Sequence, residues 1–269
     1  MSVSPTRAVA VLVAVLMLAA CDEPAPHDPA ALEAAPSPTE AVPDTAAGAV
    51  LERARRVHGA DVLDRAEVTF RFRGTPFSVR RDGGRFAYAR IGEDSAGVIR
   101  DVLDNDGFTR TVDGTPVSLG ERERRAAEGA LNSVVYFALL PYALADPAVQ
   151  PRLVGADTLG GEPYHLVEVT FREEGGGRDY QDRFVYWIHQ TRETMDYFAY
   201  SYEVNGGGAR FRQAVNPRTV GGVRFADYRN YSAEPLEPRL EEFGRLLEGD
   251  SLALVSEIVL DRVRVVPLR

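Results

Sequence analysis

Apolar and polar positions alternate strictly along Glu67-Val-Thr-Phe-Arg-Phe-Arg73. Val68, Phe70 and Phe72 fall on one face and Thr69, Arg71 and Arg73 on the other, the pattern of a half-buried strand. Strands are predicted next at 76–81 and 85–91, joined by the hairpin turn Asp82-Gly83-Gly84, and at 98–103 and 108–112. The period then changes. Glu121 to Arg125 open a polar turn, and Leu131, Val134, Val135, Phe137, Ala138, Leu139 and Leu140 continue it. This spacing predicts a helix over 121–139, ended by Pro141, with a further helical turn to Ala145. Its second half is apolar nearly all round, so it should be largely buried.

Strands resume at 153–159, 164–172, 180–189, 194–204, 209–220 and 223–231, each bounded by Gly, Asn, Pro or acidic turns. A long strand over 251–266 closes the chain, preceded by a short helical lid at 239–247. At the other end, Val50, Leu51, Ala54 and Val57 lie near helical spacing, with Glu52, Arg53, Arg55 and Arg56 opposite. They predict an amphipathic helix over 47–58, stopped by Gly59. The whole reads as α+β: a large curled antiparallel sheet of about eleven strands, since a sheet that size must curl. It forms an incomplete β-barrel with an N-terminal helix and an inserted apolar helix covering the concave face.

Residues 22–45 break the pattern. They are rich in Pro, Ala and acidic side chains and hold almost no large apolar residue. Such a stretch cannot bury enough surface to fold and reads as an extended tether. Before it, Arg7 precedes an uncharged apolar run from Ala8 to Ala20, too short to span a bilayer comfortably. The run ends in Leu18-Ala19-Ala20-Cys21, which resembles a bacterial lipobox, and Cys21 is the single cysteine of the chain. The resemblance implies a signal peptide over 1–20, lipidation of Cys21, a tether over 21–45 and a folded domain over 46–269. An ordinary cleaved signal or an N-terminal membrane anchor is the alternative. Asp22 resembles an inner-membrane retention signal of enteric bacteria, and the choice of membrane stays open.

A lone cysteine excludes an internal disulfide, so the fold must stand on its apolar core. The formal net charge of −9 argues against nucleic acid as a partner. All the basic residues are arginine, a compositional bias with no chemical message. The four histidines, His27, His58, His165 and His189, are dispersed and show no ligand spacing, so neither a metal nor a cofactor is expected. No Gly-x-Ser-x-Gly elbow occurs. Carboxylates are plentiful, but sequence spacing does not show two of them meeting in a cleft.

The aromatic residues carry more. Phe198, Tyr200, Tyr202 and Val204 share one strand face, and Tyr136, Phe137, Leu140 and Tyr142 sit on or just after the inserted helix. His165 shares a face with Val167, Val169 and Phe171. Core packing between helix and sheet accounts for any one of them. The functional alternative is that Tyr136, Phe137, Leu140, Tyr142, His165, Phe198, Tyr200 and Tyr202 line an apolar pocket, whose tyrosine hydroxyls need partners.

The segment Tyr136-Phe-Ala-Leu-Leu-Pro-Tyr-Ala-Leu-Ala-Asp-Pro147 resembles a motif of a family of bacterial lipoproteins of unassigned function. So do the helix ending in His58-Gly59 and the strand Val223–Tyr231, and the likeness covers roughly residues 48–266. It implies an architecture similar to the periplasmic lipoprotein carriers and receptors of LolA/LolB type, whose concave face holds acyl chains. No binding residue carries over by position. The expectation is a lipid-anchored envelope protein, not an enzyme, that binds a lipid or other hydrophobic molecule. An envelope interaction module with a protein partner and a hydrolase of envelope material are the alternatives.

Overall fold

Helix α1 (Thr45–Val57) starts two residues before the predicted stretch because Asp44 caps it. The Asp44 carboxylate accepts the N–H groups of Ala46 and Ala47 at 3.0 and 3.1 Å, satisfying donors that a helix start leaves unpaired. It also accepts the Leu153 N–H at 2.8 Å, tying the helix start to a strand. These backbone bonds hold its carboxyl below the ordinary value. The computed structural model describes residues 44–95, 97–175, 180–202 and 207–269. The leader, Cys21, most of the tether and Val204 lie outside the described residues.

Gly59 ends the helix as expected, and for two reasons. Its φ of 86° is left-handed, and a Cβ there would stand 2.3 Å from the Gly222 carbonyl oxygen. A short helix α2 (Ala60–Leu63) then leads into the first strand.

Among the described residues, fourteen strands form two seven-stranded antiparallel sheets, where the sequence pattern predicts one sheet of about eleven. The first sheet holds β1 (Arg65–Phe72), β2 (Thr75–Asp82), β3 (Arg85–Asp94), β4 (Gly97–Asp104), β5 (Gly107–Val112) and β6 (Thr115–Pro116), with β14 (Leu260–Pro267) beside β1. The second holds β7 (Val149–Leu159), β8 (Glu162–Phe171), β9 (Arg183–His189), β10 (Met195–Tyr202), β11 (Gly208–Val220) and β12 (Val223–Ser232), with β13 (Ala253–Ile258) beside β12.

The long strand expected over 251–266 is therefore two strands, divided at Val259. Ile258 pairs with Tyr228 of the second sheet, whereas Leu260 pairs with Phe72 of the first. One run of chain thus joins the two sheets by changing neighbours. Neither sheet closes on itself among the described residues.

Helix α3 (Glu121–Ala138) matches the predicted span, and a 3-10 turn at Tyr142–Ala145 follows Pro141. It is less buried than its apolar run suggested. Leu131 and Val135 are buried against Val68, Phe70, Phe77 and Val79 of the first sheet. Phe137 packs on Phe184, Phe198 and Tyr200 of the second. Asn132 and Ser133 stay exposed. The helix is therefore a partial cover held between the inner faces of the two sheets. Helix α1 covers the rest of the second sheet's inner face through Ala47, Val50, Leu51 and Ala54.

The segment expected as a lid forms a 3-10 turn (Leu240–Glu242) and helix α4 (Phe243–Glu248). It lies on the other face of the second sheet, where Phe243 and Leu246 pack with Val185, Trp187 and Phe211. Alternation explains this: Trp187 points away from Tyr186, so β9 is buried on both faces. Trp187 also donates to Asp157 at 2.8 Å, so its ring N–H is satisfied in the core.

Candidate functional site

Two cavities flank α3. The larger, about 620 Å³, opens between the C-terminal half of α3, the turn after it, β2 and β3 on one side, and β8 and β9 on the other. Its apolar wall is aromatic: Tyr136 and Phe137 from the helix, Phe171 from β8 and Phe184 from β9. These rings interlock, Tyr136 edge-on to Phe137 at 5.4 Å and Phe171 edge-on to Phe184 at 5.9 Å between centroids. The smaller cavity, about 200 Å³, lies against Phe72, Val134, Tyr228, Ile258 and Leu260, with one charged group, Arg212. Phe137 and Ser133 line both, so the Phe137 ring is part of the partition between them.

The mouth of the larger cavity is polar and centred on Tyr142. Its hydroxyl donates to Asp64 at 2.6 Å and accepts from Arg81 Nε at 2.9 Å. Arg81 donates in turn to the Tyr88 hydroxyl at 2.8 Å. The Arg81 guanidinium lies 4.6 Å from the Tyr142 ring centroid, and Arg55 bonds the Tyr142 carbonyl at 3.0 Å. Burial raises the Tyr88 and Tyr142 hydroxyls above their ordinary value, and the bond to Asp64 adds to the rise at Tyr142. Burial likewise pushes Tyr136 up to about 12. All three stay neutral near pH 7, so these tyrosines present rings and uncharged hydroxyls, while Arg55, Asp64, Arg81, Asp146 and Asp182 bring charge to the same lining. Among the described residues no group of three or more His, Cys, Asp or Glu is placed to hold a metal ion, and no helix is long and apolar enough to cross a membrane.

The structure brings together three of the eight candidate residues at the larger cavity: Tyr136, Phe137 and Tyr142. Phe198 and Leu140 are buried in the core beneath it. Tyr200 is half-buried, with its hydroxyl accepting from Arg212 at 3.0 Å. Tyr202 lies tilted against Tyr200, under the Arg210 guanidinium. His165 is half-buried on the face of Val167 and Val169 and lines neither cavity.

Sequence reasoning missed Arg81, Tyr88, Asp64, Phe171, Phe184 and Arg212. A signal existed for Arg81, which alternation places on the same face as Phe77 and Val79. It existed too for Arg212, two positions from Ala214 on the inward face of β11.

The chain is similar to a LolA superfamily protein from Nitrosomonas europaea, at 11% identity over 83% of this chain and 93% of that one, with a TM-score of 0.47. It is similar to a DUF1329 family protein from Desulfovibrio piger, at 11% identity over 81% and 92%, with a TM-score of 0.44. It is also similar to the lipoprotein LppX from Mycobacterium tuberculosis, at 12% identity over 61% and 91%, with a TM-score of 0.28. A search of curated proteins finds no match. A family model matches residues 44–259, from the cap of α1 through β13, and the chain belongs to that family, DUF6503, a family of unknown function.

Proposed function

We propose that this protein is a lipid-anchored cell-envelope protein that holds a hydrophobic ligand, a lipid or acyl chain, in the cleft beside α3. The observation that carries the reading is the larger cavity itself. Its volume of about 620 Å³ falls in the range of small-molecule sites, and it combines an aromatic wall with polar and charged side chains. Rings bind apolar chains without needing a matching hydrogen-bond pattern, and the Arg81–Tyr142–Asp64 group fixes the entrance. The envelope placement rests on the Leu18–Cys21 segment, and the tether gives the domain reach to meet a membrane.

A protein-partner reading has one observation in its favour: Leu254, Val255 and Val266 on the closing strands remain more than half exposed, at 54%, 53% and 54%. Those side chains line neither cavity, and the cleft is the more developed feature.

Mass spectrometry of organic extracts tests the proposal. The full chain carrying Cys21→Ser, which cannot be lipidated, is expected to release a co-purified lipid in near-equal molar amount. Ala143→Trp places an indole at the cavity wall and is expected to lower that yield at least tenfold, at an unchanged melting temperature. Extracts of the Cys21→Ser chain free of any lipid would count against the cleft as a binding site.

A further inference from the structure

We infer that the smaller cavity receives the head of the ligand, a free carboxylate, and that Arg212 is the residue that binds it. The inference rests on the reading of the cleft as a hydrophobic-ligand site and adds the ligand's charge to it.

Arg212 is 8% exposed, and no carboxylate among the described residues bonds to it. Other arginines of the same sheet are paired: Arg218 with Asp227, Arg224 with Asp196 and Arg183 with Glu168. Arg212 instead has rings around it. Its guanidinium carbon is 4.0 Å from the Phe137 centroid, 5.2 Å from that of Tyr200 and 5.5 Å from that of Phe198. Ring faces attract a cation but do not accept its N–H bonds as an anion does. One Nη donates to the Tyr200 hydroxyl, while the buried Nε has no partner.

A buried charge without a counter-ion is costly. Lysine escapes that cost by losing its proton, but a guanidinium does not. The unfilled donor therefore calls for an anion. Arg212 lines the small cavity, and the planar fork of guanidinium N–H donors suits the two oxygens of one carboxylate.

The rest of the small cavity is mostly apolar, with Phe72, Val134, Ala138, Ile258 and Leu260 beside Phe137, Ser133 and Tyr228. A free inorganic anion would be poorly housed there, whereas an acyl chain ending in a carboxylate satisfies both parts. With Phe137 lining both cavities, the head lies on the Arg212 side of that ring and the chain runs past it into the larger cleft.

Photolabelling tests this with three diazirine probes of equal chain length: a long-chain fatty acid, its methyl ester and a lysophosphatidic acid. The Cys21→Ser full chain is expected to take up the fatty acid at least tenfold over the ester, with label on peptides of α3 and β14. Arg212→Gln is expected to bring that ratio within twofold while ester labelling persists, and Arg212→Lys to restore part of it. Ligand-free Arg212→Met is expected to melt no lower than wild type, because an uncompensated charge has been removed. Equal wild-type labelling by acid and ester overturns the inference and leaves the cleft reading intact, as does a preference for the phosphate head. A lower melting temperature for Arg212→Met with an unchanged probe ratio overturns it too, assigning Arg212 to packing. Absence of label from all three probes overturns the cleft reading itself.

Discussion

Replacing Asp101 with Asn is expected to lower the unfolding free energy by about 3–5 kcal/mol, the usual cost of removing one partner from a buried ion cluster. The Asp101 side chain is fully buried on β4, between Arg90 of β3 and Arg110 of β5. Arg110 donates from Nε at 2.6 Å and from Nη2 at 2.9 Å, and Arg90 donates at 2.8 Å. Burial pushes the carboxyl up, but the bonds from Arg110 and Arg90 outweigh it and hold it below the ordinary value. An Asn amide keeps one acceptor and turns a donor towards two guanidinium groups. Three strands are joined by this one side chain, so the loss should spread across the outer half of the first sheet. Urea unfolding is the measurement, and thermal unfolding should show a fall on the order of 10 °C. A change under about 1 kcal/mol would mean that Arg90 and Arg110 swing into water at little cost.

Acidification below pH 6.5 is expected to destabilise the protein through His58, the C-cap of α1. Burial first, and the neighbouring Arg224 second, lower its pKa to about 3, with Asp196 opposing. The geometry agrees. His58 Nε2 accepts the Met195 N–H at 3.1 Å, so this nitrogen carries no proton in the folded state. Protonating it would turn an acceptor into a donor facing another donor. The unfolded chain takes up that proton near pH 6.5, whereas the folded chain does not until about pH 3. Between those values unfolding binds a proton, so stability falls as pH falls, by about 1.4 kcal/mol per pH unit. Two units of acidification therefore cost roughly 2.7 kcal/mol from this residue. His58→Gln keeps an acceptor near Met195 and should flatten the slope of stability against pH between 6 and 4. An unchanged slope in that variant would place the acid sensitivity elsewhere.

The fold was legible where local pattern and punctuation agreed. Helix α3 was read to within a residue because charged residues open it and Pro141 follows it. Two strand edges were misread for a physical reason. Pro151 precedes the strand expected from Leu153, yet β7 runs from Val149 through it, since it is an edge strand where a missing N–H is harmless. The change of partner at Val259 leaves no mark in alternation, because only the neighbouring strands differ. Pairing register likewise hid the Arg90–Asp101–Arg110 cluster: three residues on three strands meet only once the hairpins are in place. The site was half legible. Aromatic residues on α3 pointed to it from within one element. Phe171, Phe184 and Arg81 join it from separate strands, and no spacing in the chain connects them.

A crystal structure of the protein grown with a long-chain fatty acid tests whether the cleft beside α3 holds an apolar chain. Continuous elongated density is expected between Phe137, Phe171 and Phe184, passing the Phe137 ring towards Arg212. A cleft holding only water at saturating ligand, with those rings unmoved, would contradict it.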